Sequence, residues 1–120
     1  MVILDANAIL RYILKDIPEQ AEFAAKTILD TEILILPEVV AEVVYVLDKH
    51  YKLARKDIAD VITDTLDDTE CDDIVIREGV RVFGVTHFDF VDCLLFVRSK
   101  SNKILTFDKK LNDLIKRGSV

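Results

Sequence analysis

Tryptophan is absent from this 120-residue chain, and glycine and proline number only three and two. So few turn formers leave little room for flexible linkers or for a many-stranded β fold joined by tight turns. No stretch is long and polar enough for a disordered tail, and neither an internal repeat nor a low-complexity segment occurs. The longest apolar runs fall far short of a bilayer span, so no membrane segment is predicted. The first residues form no basic-then-apolar leader, and no signal peptide is expected. Two cysteines, Cys71 and Cys93, match no metal or redox spacing. They are read as two buried thiols in a reducing cytoplasm. What the chain does have is apolar content of 51%, enough for one core, and the length predicts a single domain over residues 1–120.

Sixteen basic residues face 22 acidic ones, for a net charge of −6. Taken alone this argues against a nucleic-acid binder, because phosphate contacts need Lys and Arg. Local patches govern steering more than the total does. From Arg98 to Arg117 the balance reverses: Arg98, Lys100, Lys103, Lys109, Lys110, Lys116 and Arg117 face only Asp108 and Asp113. A second basic cluster runs from Lys49 to Lys56. As isolated features these are solvated surface; beside an acidic metal site they become guides for phosphate.

The hydrophobic pattern alternates between two periods. Val2 to Asp5 is a short, continuous, β-branched run that predicts a buried strand, and Ala6 to Leu14 follows with helical spacing. Pro18 suits the first turn of a second helix, with Asp16 as its expected N-cap. Ile33 to Leu36 is a second buried strand. Pro37 opens a helix through about Tyr51, and Asp57 to Leu66 is another. Asp73 to Ile76 is expected to be extended and Arg77 to Phe83 helical, with Gly84 ending it. Asp89 is placed as the cap of a helix through about Lys100. Lys103 to Phe107 is predicted to be the last strand, and Lys109 to Lys116 a terminal helix with Gly118 beyond its end. Strands alternating with helices predict an α/β fold: three layers, α/β/α, around a short, mostly parallel sheet.

In such sheets, sites form outside the carboxyl ends of the strands. Asp5 and Asp108 each close a strand-like run. Glu42 and Asp92 sit early in the helices that follow. Like charges gathered in one place repel, and burial worsens the repulsion. A fold that gathers four carboxylates needs a cation, and carboxylate oxygens are hard ligands suited to Mg²⁺ or Mn²⁺.

The same residues resemble a known family. Ile3-Leu4-Asp5-Ala6-Asn7 is similar to the opening motif of PIN-domain nucleases. Leu36-Pro37-Glu38-Val39-Val40-Ala41-Glu42 and the residues after it resemble the second motif, with Glu42 in the acidic position. Asp89-Phe90-Val91-Asp92-Cys93-Leu94 resembles the third, with Asp92 as its acid, and Thr106-Phe107-Asp108-Lys109-Lys110-Leu111 the fourth. The match is ordered and spans nearly the whole chain. Cys93 stands where the family often has Ala, a change a small apolar thiol tolerates. The resemblance, together with the compact length, implies a VapC-type toxin of a prokaryotic toxin–antitoxin pair. It further implies a Mg²⁺- or Mn²⁺-dependent endoribonuclease that leaves 5′-phosphate and 3′-hydroxyl ends. Asp5 and Asp92 would be its main metal ligands, with Glu42 and Asp108 completing the site. Asn7 is expected to orient a water or carboxylate, and Thr106 to bond Asp5 or water.

Every one of these residues has a structural alternative. Asp5 and Asp108 can cap the helices that follow them. Asp92 can be a first-turn charge favoured by the helix dipole, and Glu42 half of a salt bridge. Asp89 is read as a cap rather than a ligand. His50 and His87 are expected at the surface, and Tyr12, Phe23 and Tyr45 in the core or an interface. A haloacid-dehalogenase-like phosphatase needs a second Asp where Asn7 stands, and a receiver domain needs an acidic pair where Asp5 stands alone. A catalytically inactive PIN-like binding module is the remaining alternative. Expected partners are RNA, an antitoxin protein whose Arg meets the carboxylates, and a second copy of the chain. The homodimer is expected through apolar surface on the helices holding Val39 to Leu47 and Phe23 to Ile28.

Overall fold

A computed structural model describes residues 1–120 as two short strands and seven helices. The order is β1 (Val2–Ile3), α1 (Ala6–Leu14), α2 (Pro18–Asp30), β2 (Ile33–Leu34), α3 (Pro37–Lys49), α4 (Arg55–Asp68), α5 (Ile74–Val85), α6 (Phe90–Arg98) and α7 (Lys109–Arg117). β1 and β2 pair in parallel, Val2 opposite Ile33 and Ile3 opposite Leu34. The fold is α/β, a three-layer plan with its sheet reduced to a minimum. No helix is long and apolar enough to cross a membrane.

Proline sets two of the helix starts. A residue before proline is pushed into the extended region, and both Ile17 (φ −119°) and Leu36 (φ −101°) are extended N-caps. This moves the cap of α2 from the expected Asp16 to Ile17. Asp16 instead accepts from the Arg11 guanidinium at 2.8 Å. Lys15, in the left-handed region at φ 55°, ends α1. Gly118, at φ 77°, ends α7 as expected and donates its N–H to Leu114.

Two predicted extended segments are not strands. Asp73 to Ile76 belongs to the start of α5: Asp73 is the N-cap, and its carboxylate accepts the Ile76 N–H at 3.1 Å. Lys103 to Phe107 keeps the alternating burial of a strand but has no ladder partner. Leu105 and Phe107 are 86% and 94% exposed, so no buried face fixes a register there. Local bonds hold the segment instead, with the Asn112 amide donating to the Thr106 carbonyl at 2.8 Å.

The core is a helix-to-helix seam. Leu47, Ile58, Leu66, Ile76, Leu111 and Leu114 are all fully buried, and Val40, Val43 and Val44 join them. Each such side chain contributes about 1.5–3 kcal/mol of burial. The valine face of α3 is therefore used inside the chain. It is not the free surface on which the dimer expectation partly rested. Tyr12 ties α1 to α4 by donating to the Asp68 carboxylate at 2.5 Å. Burial, with that carboxylate beside it, pushes the phenol up to about 12.

Gly84 does not end α5; it lies one residue before the end at Val85. A Cβ at Gly84 would sit 2.7 Å from the Ala59 Cβ of α4. A rigid methyl cannot rotate away, so glycine is required by the close approach of the two helices. Gly84→Ala is expected to destabilise the chain by about 1–3 kcal/mol, and Ala59→Gly in the same chain to restore part of the loss. Denaturant titration of the three variants checks this; an unchanged midpoint for Gly84→Ala would refute the close packing.

Candidate active site

The α1, α6 and α7 N-termini carry most of the candidate acids. Asp5 follows β1 and caps α1, its Oδ1 accepting the Ala8 N–H at 2.8 Å. Asp108 caps α7 in the same way, its Oδ1 accepting the Leu111 N–H at 2.9 Å. The capping alternative is thus realised for both. It engages one carboxylate oxygen and leaves Oδ2 of each free, while locking the rotamer. Asp92 lies in the first turn of α6, half-buried. Glu42 is exposed on α3, and α3 packs against both α1 and α6.

Three of the acids feel one another. The Asp92 carboxyl is raised from its ordinary value of 3.8, first by burial and then by the charges of Asp89 and Asp108. Asp89 is therefore part of the acidic group, which the sequence reading did not assign. It occupies the N-cap position of α6, but its side chain makes no capping bond. The available signal was spacing: Asp89 and Asp92 are three apart, one above the other at the start of a helix.

No cation of the protein answers these charges. The ion pairs are Arg11–Asp16, Lys49–Asp48, Lys56–Asp60, Arg77–Asp67, Arg81–Glu78 and Lys109–Asp113. None includes Asp5, Glu42, Asp89, Asp92 or Asp108. The bland alternative for Glu42, a buried salt bridge, is excluded by its exposure and lack of partner. Helix N-termini help by favouring negative charge, which keeps several uncompensated carboxylates in one region.

The donor set is all carboxylate oxygen, which fits a hard divalent cation. The structure brings Asp89, Asp92 and Asp108 into one electrostatic neighbourhood. It does not converge three such side chains tightly enough to enclose an ion.

Thr106 acts on Asp108 rather than Asp5: its Oγ1 accepts the Asp108 N–H at 3.1 Å. Asn7 is exposed at the start of α1. His50 and His87 are at the surface, whereas Phe23 and Tyr45 are exposed rather than core. Both cysteines are free; Cys93 is buried, and burial pushes its thiol up to about 11, so it packs as an inert apolar group. Cys71, expected to be buried, is only half-buried.

The basic residues divide. Arg55 is structural: its Nε donates to the Phe83 carbonyl at 3.0 Å, a second nitrogen donates to the Phe88 carbonyl, and the guanidinium lies 3.7 Å over the Phe83 ring. It fixes the turn that delivers Asp89. Arg98, Lys103, Lys110 and Lys116 form no ion pair and are exposed. They remain available to phosphate.

A family model described as PIN domain matches residues 2–116. A protein of Aquifex aeolicus (strain VF5) named VapC ribonuclease is 32% identical over 91 residues, covering 69% of this chain and 67% of its own length. No solved structure matches significantly.

Because the Asp92 pKa is raised on folding, its ionisation costs stability. The cost is absent at low pH and grows as pH rises through the raised value. In EDTA at neutral pH, Asp92→Asn is expected to melt above wild type, with the gap closing below the ordinary Asp range. Added Mn²⁺ is expected to stabilise wild type by mass action and the variant less. Scanning calorimetry across pH checks both; a less stable Asp92→Asn at neutral pH and low ionic strength would refute the repulsion.

Proposed function

This chain belongs to the PIN-domain family, and on that premise we propose that it is a divalent-metal-dependent endoribonuclease, the toxin of a prokaryotic toxin–antitoxin pair. The observation that carries this reading is the half-buried Asp92, whose charge is opposed by Asp89 and Asp108 and by no cation of the chain. A group of acids left in that state is a site that gains from taking up a positive charge. The named relative, a VapC ribonuclease, supports RNA as the substrate.

In this reading Asp5 and Asp92 hold Mg²⁺ or Mn²⁺, and Glu42 and Asp108 complete the set directly or through water. Asp89 adds negative charge beside Asp92 and deepens the preference for a cation. When bound, the ion supplies a more acidic water and neutralises charge on the scissile phosphate. The chain's own residues do the positioning. Backbone N–H groups of α1 and α7 hold Asp5 and Asp108 in fixed rotamers. Thr106 holds the Asp108 backbone. Asn7, free on the first turn of α1, orients a water or carboxylate. Arg98, Lys103, Lys110 and Lys116 draw the RNA backbone toward the acids.

Partners follow from the same surface. Leu105 and Phe107, almost fully exposed, precede Asp108 in the chain. An antitoxin segment covering them, with an Arg reaching the carboxylates, would remove apolar surface and repulsion together. A homodimer is the further expectation, now resting on the exposed Leu29 of α2 and Tyr45 of α3. The protein would act in the cytoplasm, where RNA and a reducing environment coincide.

Cleavage of a panel of unpaired and structured RNAs with Mg²⁺, Mn²⁺ or EDTA tests this reading. Wild type is expected to cut only with metal, and Asp5→Asn and Asp92→Asn to lose about 10²–10³-fold, the scale of one lost electrostatic contact to the transition state. Folded, metal-supplied wild type that cuts nothing would favour an inactive binding module.

A further inference from the structure

Beside Asp5 lies a cavity of about 500 Å³ between β1, α1 and α2, and Asp5 is one of its lining residues. Aliphatic and small side chains from all three elements form its floor. Phe23 stands at it with 76% of its surface exposed. That ring joins neither the aromatic pair of the structure, Phe83 with Phe90, nor its cation–π contacts. A large apolar ring left in water beside a cavity is a surface for a flat partner.

The polar lining includes two exposed amides that no protein group engages. Hydrogen bonds around the cavity run from Ala8 to Asp5, from Arg11 to Asp16 and from Thr27 to Phe23. They leave the amides of Asn7 and Gln20 free, each with a donor and an acceptor side by side. Arg11 also lines the cavity, and its Nε is buried without any partner. Its charge is already met by Asp16 at 2.8 Å, while Asp5 and Glu19 line the same space. The cavity is therefore acidic on balance and repels a phosphate or a carboxylate. It suits an uncharged, planar, hydrogen-bonding occupant.

We propose that this cavity receives one unpaired nucleobase of the RNA strand whose backbone lies at Asp5. The base stacks on Phe23, and the Gln20 amide meets its edge. Unpaired bases are recognised by such aromatic stacking and edge bonding. The inference rests on the ribonuclease reading and adds to it: the pocket selects a base next to the scissile bond. Phe23 and Gln20 are then specificity residues of the strand being cut.

Fluorescence anisotropy in EDTA at low salt tests this without cleavage, using labelled unpaired oligoribonucleotides with or without a single abasic position. Phe23→Ala is expected to bind the intact oligonucleotides about tenfold more weakly, and Phe23→Trp to bind as wild type does. One abasic position is expected to weaken wild type by a similar factor and to leave Phe23→Ala unaffected, since the stacking partner is already gone. Gln20→Ala is expected to flatten the preference among bases. Equal binding by Phe23→Ala and wild type would overturn the pocket, as would a Phe23→Ala defect seen only as loss of a dimer or of binding to a basic peptide. If such a variant still cuts RNA with metal like wild type, the pocket alone fails; if wild type neither binds nor cuts RNA, the ribonuclease reading falls with it.

Discussion

Carboxylates that repel one another at the start of helix α6 are the constraint around which the candidate site is built. Asp92 is half-buried, Asp89 sits one turn before it, and Asp108 adds a third charge from the next helix. Burial and repulsion act in the same direction on Asp92, disfavouring its ionised form unless a cation stands beside it. Evolution toward stability alone would remove such a group by replacing one Asp with Asn. Its presence is the physical argument for a function that needs negative charge.

The rest of the structure makes this arrangement tolerable. Asp5, Asp89, Asp92 and Asp108 all lie at helix N-termini, where backbone N–H groups and the helix dipole offset part of the charge. Capping by Asp5 and Asp108 is not an alternative to ligation, because each cap engages one oxygen and leaves the other. Arg55 holds the turn ahead of α6 through two backbone carbonyls. Beneath these lies an apolar seam of Leu, Ile and Val from α3, α4, α5 and α7 that fixes where the helix ends emerge.

Much of this was legible in the sequence, for identifiable reasons. α1 was found with its bounds intact because Ile9, Leu10, Ile13 and Leu14 mark one face and Asp5 caps it. The start of α3 was legible because Pro37 sets both its own φ and that of Leu36. The Asp73 and Gly84 readings failed together. A β-branched run suggested an extended stretch, and a glycine suggested an end, but a side-chain cap and a close approach to Ala59 govern that helix. The apolar run in Lys103 to Phe107 was read as a strand, yet a strand needs a partner, and pairing is not written in the segment itself. At the site, the role of Asp89 was hidden because a helix-start Asp resembles a cap until its missing hydrogen bond is seen.

Paramagnetic broadening of backbone amide signals by substoichiometric Mn²⁺ tests the central claim most directly, since it locates a bound cation without any substrate. Asp5, Glu42, Asp92 and Asp108 are expected to broaden together, with Asp89 beside them, and this set to recover in Asp92→Asn. Broadening scattered over solvent-facing acids such as Asp57 and Asp72, unchanged by that substitution, would contradict it.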